Sequence, residues 1–187
     1  LRIVLAISGA SGAVYGLTAL RTLHRLKVET HLILSTWAQK TLEMETACSL
    51  EQAVALADYC YPYDDLSAPV ASGSFIHQGM IVAPCSMKTL AAVACGYTDN
   101  LITRAADVTL KERRPLVLMP RETPLNAIHL ENMLRLARLG VIIAPPVPSF
   151  YQRPHSVQDL VDQTVGRLLD LLGIENDLVR RWGENRL

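Results

Sequence analysis

Short, uninterrupted apolar runs alternate along this chain with longer segments in which apolar residues return every three or four positions. The runs include Ile3-Val4-Leu5-Ala6-Ile7, Met80-Ile81-Val82-Ala83, Leu116-Val117-Leu118-Met119 and Val141-Ile142-Ile143-Ala144. Continuous apolar runs of this length suit strands buried on both faces, whereas Leu17, Leu20, Leu23 and Leu26 recur at helical spacing. The pattern predicts strands over about 2–8, 29–35, 80–83, 116–119 and 141–144, with a short one at Tyr59-Cys60-Tyr61. It predicts helices over about 13–26, from Trp37 to Thr46, from Met87 to Cys95, over about 100–112, and from Pro124 to about Arg138. Repeated β-α units of this kind specify an α/β fold: a three-layer Rossmann-like or flavodoxin-like parallel sheet with helices on both faces. Ligands of such sheets collect at the carboxyl ends of the strands. Ser11, Ser35, Ser86 and the pair Arg121-Glu122 all fall there.

With 187 residues the chain is expected to form one domain over 1–187, and half of its residues are apolar, which suits doubly buried strands, subunit interfaces or both. Eighteen basic and eighteen acidic residues cancel, so no global charge argues for nucleic acid or an anionic membrane surface. No apolar segment reaches the roughly 18 residues of a membrane span. The first residues read as a strand rather than a signal sequence, so a cytoplasmic location is expected. The cysteines at 48, 60, 85 and 95 form no C-x-x-C pair and read as reduced thiols. His24, His31, His77, His129 and His155 make no metal-ligand motif, and no metal is expected.

The junction after the first strand, Gly9-Ala10-Ser11-Gly12-Ala13-Val14-Tyr15-Gly16, reads as a phosphate-binding turn. Small residues let a ligand approach the backbone, and the next helix offers free N–H groups and its positive dipole end. Glycines at 9, 12 and 16 depart from the dinucleotide fingerprint, and Ser11 stands where a second close-approach glycine is expected, which points away from NAD. A tight strand-to-helix turn is the plainer alternative. Ser11 does not sit in a G-x-S-x-G nucleophile elbow. Ser86, after Pro84-Cys85, reads as a helix N-cap, a geometry that also suits a phosphate.

The densest cationic region comprises Arg104, Lys111, Arg113, Arg114 and Arg121. Lys111, Arg113 and Arg114, as a run, read first as a solvated helix end, with a ligand-facing role as the alternative. Arg121 and Glu122 directly follow an apolar strand and Pro120, where a ligand-facing pair is expected; Glu122 is a candidate general acid or base, with an arginine ion pair as its structural alternative. Glu45 is a second candidate carboxylate near a helix end, with a solvent-facing alternative.

Taken together, these motifs resemble those of the UbiX-type flavin prenyltransferases, formerly called phenylacrylic acid decarboxylases, over nearly the full chain. The matching segments are Ser8-Gly9-Ala10-Ser11-Gly12-Ala13, Ala71-Ser72-Gly73-Ser74, Pro84-Cys85-Ser86 with Thr89-Leu90, and Asn100-Leu101-Ile102 through Asp107. Leu110-Lys111-Glu112-Arg113-Arg114-Pro115-Leu116-Val117-Leu118, continuing to Pro120-Arg121-Glu122, is the most specific. His129 to Met133, Pro148 to Tyr151 and Arg181-Trp182-Gly183 extend the match. The resemblance implies transfer of a dimethylallyl group from dimethylallyl monophosphate to N5 and C6 of reduced FMN, without a metal, giving prenylated FMN for a UbiD-type decarboxylase.

It also implies residue roles. Gly9, Ala10, Ser11, Ser35, Ser86, Met87, Lys88, Thr89 and Arg121 are expected to hold FMN; Lys111, Tyr151, Arg167, Arg121 and Glu45 the dimethylallyl phosphate. Glu122, Ser11 and Lys111 are the expected catalytic residues, and Arg104 supports the site or an interface. A homo-dodecamer is expected. Ser35-Thr36-Trp37-Ala38 and the short region between Glu45 and Ser72 resemble members that serve aromatic-acid decarboxylases. Flavin-dependent cysteine decarboxylases are the nearest alternative, but their Pro-Ala-Ser-Ala-Asn-Thr stretch is replaced by Pro69-Val70-Ala71-Ser72-Gly73-Ser74. A non-catalytic flavin carrier would not need a second phosphate site.

Overall fold

The computed structural model describes residues 1–179, 181 and 183. Among them, six parallel strands form one sheet: β1 (Arg2–Ile7), β2 (Glu29–Leu34), β3 (Tyr59–Tyr61), β4 (Gly79–Cys85), β5 (Leu116–Pro120) and β6 (Ile142–Ile143). Their spatial order is β3-β2-β1-β4-β5-β6, the doubly wound order of a Rossmann-like sheet, so the connections reverse direction between β1 and β4. The helices are α1 (Ala13–Arg25), α2 (Thr36–Glu45), α3 (Leu50–Val54), α4 (Met87–Cys95), α5 (Leu101–Lys111), α6 (Ala127–Arg138) and α7 (Val157–Asp170).

The alternation of side chains along β1 builds both layers. Ile3, Leu5 and Ile7 enter a core with Leu17 and Leu20 of α1, Leu42 of α2 and Val165 of α7. Val4 and Ala6 enter the opposite core, with Leu90 of α4, Ile102 of α5 and Leu136 of α6. All five of these β1 positions are covered by helix on one face or the other, as a parallel sheet requires.

Two expectations are corrected. The helix expected to open at Pro124 begins at Ala127, because Asn126 is its N-cap and accepts the His129 N–H at 2.9 Å. The sequence reading also ended its regular elements at residue 144, whereas α7 runs over 14 residues beyond the proline-rich loop. Its start carries a legible signal: Ser156 accepts from the Asp159 N–H at 3.1 Å while Asp159 accepts from the Ser156 N–H at 3.1 Å. The four cysteines are free thiols, as expected.

Candidate functional site at the carboxyl end of the sheet

The β1–α1 turn lies at the reversal point between β1 and β4. Gly12, the α1 N-cap, has φ +102°, a conformation that favours glycine. A side chain on Gly16 would overlap the Ala83 carbonyl and Ile7, so glycine there seats α1 tightly on β4 and β1. Ser8, only 1% exposed, joins the two strand ends. Its hydroxyl donates to the Pro84 carbonyl at 2.9 Å and accepts the Ser86 N–H at 2.7 Å. The sequence reading gave Ser8 no role; its place just before the glycine turn was the available signal.

Glu45, at the last turn of α2, reaches back to this loop. Its Oε2 accepts the Gly12 N–H at 2.8 Å and the Ala13 N–H at 3.0 Å. The anion at the α1 N-terminus is therefore the protein's own carboxylate. Burial opposes its ionisation, but the Ser11 hydroxyl, the two N–H groups and the Arg121 guanidinium outweigh it and hold its pKa below the ordinary carboxylate value. Arg121 belongs to the same cluster. Its N–H donates to the Cys85 carbonyl at 3.2 Å, and its Cγ lies beside Gly12. Tyr15, also beside Gly12, has its hydroxyl pKa raised by burial against the pull of Arg121. Glu122 is exposed, and its Oε1 accepts the Thr123 N–H at 3.0 Å.

Two further helix N-termini open at this end. Ser35 caps α2 by accepting the Ala38 N–H at 3.0 Å, and Ser86 caps α4 by accepting the Thr89 N–H at 3.3 Å. The Ser86 hydroxyl also donates to Thr89 Oγ1 at 3.1 Å. Met87 is half-buried and Lys88 exposed on the first turn of α4. Burial pushes the Cys85 thiol up to about 12, so it takes no part as a thiolate. Gly9 and Ala10 lie where β1 gives way to this turn, and a side chain on Gly9 would overlap Trp37 of α2.

Tyr151 and Arg167 line a cleft of about 190 Å³ between α7 and the 144–151 loop, which leaves the carboxyl end of β6, with Gln163 and Thr164. Arg167 pairs there with Asp170 at 2.7 Å, and Asp170 also pairs with Arg181 at 3.1 Å. Trp182 lies outside the described residues.

Lys111 joins neither group. It ends α5 ahead of β5, whereas Arg121 follows β5; the five-residue strand between them spans about 16 Å. At that amino end of the sheet Lys111 pairs with Glu112 over Gly73. The same 71–75 loop is clamped by Arg114, which donates to the Phe75 carbonyl at 2.7 Å and the Gly73 carbonyl at 2.8 Å. Arg104 donates to the Ala71 carbonyl at 3.2 Å and pairs with Asp107 at 3.0 Å. Of the run read as a solvated helix end, Arg114 thus holds a loop, together with Arg104, while Lys111 and Arg113 are exposed.

Among the described residues, no group of three or more histidine, cysteine, aspartate or glutamate side chains could hold a metal ion, and no helix is long and apolar enough to cross a membrane. The Flavoprotein family model matches residues 1–169. The flavin prenyltransferase LpdB of Lactiplantibacillus plantarum is 54% identical over 182 residues, 97% of each chain. The crystal structure of AnUbiX in complex with FMN and dimethylallyl pyrophosphate superposes with a TM-score of 0.96 at 54% identity, covering 99% of this chain and 98% of that one. A dodecameric FMN-dependent UbiX-like decarboxylase from Escherichia coli O157:H7 does so with a TM-score of 0.96 at 50% identity, covering 97% and 99%. The peptidyl-cysteine decarboxylase EpiD, at 16% identity and a TM-score of 0.63, shares the fold alone.

Proposed function

The chain belongs to the UbiX-like flavin prenyltransferases of the flavoprotein family, enzymes that act on FMN, and from that premise we propose the reaction, the donor and the residues that serve them. The enzyme transfers a dimethylallyl group from dimethylallyl monophosphate to N5 and C6 of reduced FMN. The allylic carbon–oxygen bond breaks and inorganic phosphate leaves as N5 takes the dimethylallyl group and loses its proton; the prenyl double bond then takes up a proton and its tertiary carbon joins C6, which releases its own proton. Prenylated FMN then serves a UbiD-type decarboxylase.

The observation that carries this reading is the cluster of Ser11, Glu45 and Arg121 at the strand-order reversal, with Glu122 next in sequence. FMN lies along Gly9, Ala10 and Ser11. The N-termini of α2 and α4, with Ser35, Ser86, Met87, Lys88 and Thr89, supply N–H and hydroxyl donors to its phosphate. With Glu45 already on the α1 N-terminus, the flavin phosphate is steered toward those other two helices. Arg121 stands between the ligands.

Departure of the allylic phosphate builds negative charge that Lys111, Arg121, Arg167 and the Tyr151 hydroxyl stabilise, so the reading needs no metal ion. Glu122 carries protons between the flavin and the departing phosphate, and Ser11 orients N5. Lys111 stands beyond β5 from Arg121 within one chain, so the site is completed by Lys111 of another copy, consistent with a homo-dodecamer working in the cytoplasm.

Anaerobic incubation of the purified protein with reduced FMN and dimethylallyl monophosphate, followed by mass spectrometry, tests the proposal. A flavin heavier by one C5H8 unit is expected. Unmodified flavin, with both ligands shown to bind, would reject it.

A further inference from the structure

We propose that Trp37 contacts the flavin, its indole forming the wall of the site on the α2 side against the planar isoalloxazine; this rests on the flavin-binding reading above. Trp37 stands two residues after the Ser35 N-cap, in the first turn of α2, at the carboxyl end of β2. β2 is the parallel neighbour of β1, with Ile7 opposite Leu34, so Trp37 rises beside the turn that begins at Gly9. The approach is close enough that Gly9 has no room for a side chain: a Cβ there would overlap the Trp37 Cβ. The glycine at position 9 thus admits the tryptophan to the edge of the loop.

The indole is placed there but not buried. It is 66% exposed, although neighbouring Ala38 is fully buried. Its ring is held by the Lys40 ammonium, 4.6 Å from the ring centroid, one turn further along α2. A large aromatic side chain left in water beside a ligand loop and steadied by a cation on its own helix is suited to a flat partner. The isoalloxazine is such a partner, since aromatic side chains bind planar heterocycles through their π-faces. A tryptophan here also distinguishes the chain chemically from one with a small residue, which would leave that flank of the flavin open to water.

Flavin emission tests the contact, because an indole touching an excited flavin quenches it by electron transfer that fails over a few ångströms. The chain has two tryptophans, so a Trp182→Phe protein leaves Trp37 as the sole indole. That protein and its Trp37→Leu derivative are loaded with FMN, with occupancy measured by equilibrium dialysis. At equal occupancy the Trp37→Leu derivative is expected to emit at least about threefold more strongly and to bind FMN about five- to tenfold more weakly. Trp37→Phe should keep most of the affinity and still brighten the flavin. Unchanged emission with FMN bound would overturn the proposal, as would a change confined to oligomer mass, which would make Trp37 an inter-subunit contact. Failure of every protein, the unmodified one included, to bind FMN would remove the flavin reading itself and this proposal with it.

Discussion

The Glu45 carboxylate accepts the Gly12 N–H at 2.8 Å, from 33 residues further along the chain. This contact fastens the end of α2 to the beginning of α1 and puts a fixed negative charge on a helix N-terminus. Replacing Glu45 with alanine should cost about 1 kcal/mol, discounted for its partial exposure, and lower the melting temperature by a few degrees. The sign with pH follows from its depressed pKa. The carboxylate contributes its full stabilisation above the unfolded value near 4.5, and loses it as pH falls through the lower folded value. Thermal denaturation of wild type and Glu45→Gln should therefore differ at pH 7 and converge as pH falls from 4.5 through the depressed folded value; a constant gap would remove the ionised contact as its source.

A second pH dependence originates at the other end of the sheet. His77 is 4% exposed, and its Nδ1 lies 3.1 Å from the Gly79 carbonyl, which it serves as a neutral donor. Burial lowers its pKa to about 4, against the pull of the Gly79 carbonyl and with help from Arg114. The unfolded chain takes up that proton near pH 6.5, so stability should fall as pH drops from about 6.5 to 4, by up to about 3 kcal/mol. His77→Asn keeps a donor for Gly79. Its denaturation midpoint should be flatter over this window, and an unaltered slope would assign the acid lability elsewhere.

What the sequence made legible was local. Apolar runs of four or five residues and helical leucine spacing marked β1, β4, β5 and α1, because buried strands and amphipathic helices impose those periods. Glycines at 9, 12 and 16 marked the turn, since each position has a steric reason for lacking a side chain. Glu45 read equally as a solvent-facing residue, because nothing near it in sequence records that α2 ends beside Gly12. Lys111 and Arg121 are separated by one strand, and a strand carries its two ends to opposite sides of the molecule. The last helix, α7, is marked in the sequence only by the Ser156 and Asp159 capping signal and the sparse buried series Val161, Val165, Leu168, with polar residues between them and an irregular proline-rich loop before them.

The separation of Lys111 from Arg121 gives a test of site sharing. Lys111→Met should abolish prenyl transfer and leave FMN binding intact, and Glu122→Gln should do nearly the same. Co-expression of the two variants yields mixed oligomers. If Lys111 works with Glu122 of another copy, some sites in the mixture contain both native residues, and activity should return to roughly a quarter of wild type by random pairing. Inactivity of mixed oligomers, verified by mass, would place both residues in one chain's site.

Glu122 itself is open to a sharp substitution. Its Oε1 accepts the Thr123 N–H at 3.0 Å, and a glutamine offers the same acceptor in the same place, so the backbone beyond β5 should be undisturbed. What glutamine cannot do is exchange a proton. If Glu122 carries protons between flavin and phosphate, Glu122→Gln should lower kcat by roughly 10² to 10⁴-fold with little change in the affinity for FMN. Glu122→Asp, which retains the acid at a shorter reach, should recover part of the rate. A Glu122→Gln enzyme with an unchanged kcat, or a loss that appears wholly in KM, would make the carboxylate a binding group and leave the proton relay to the Ser11 and Glu45 cluster.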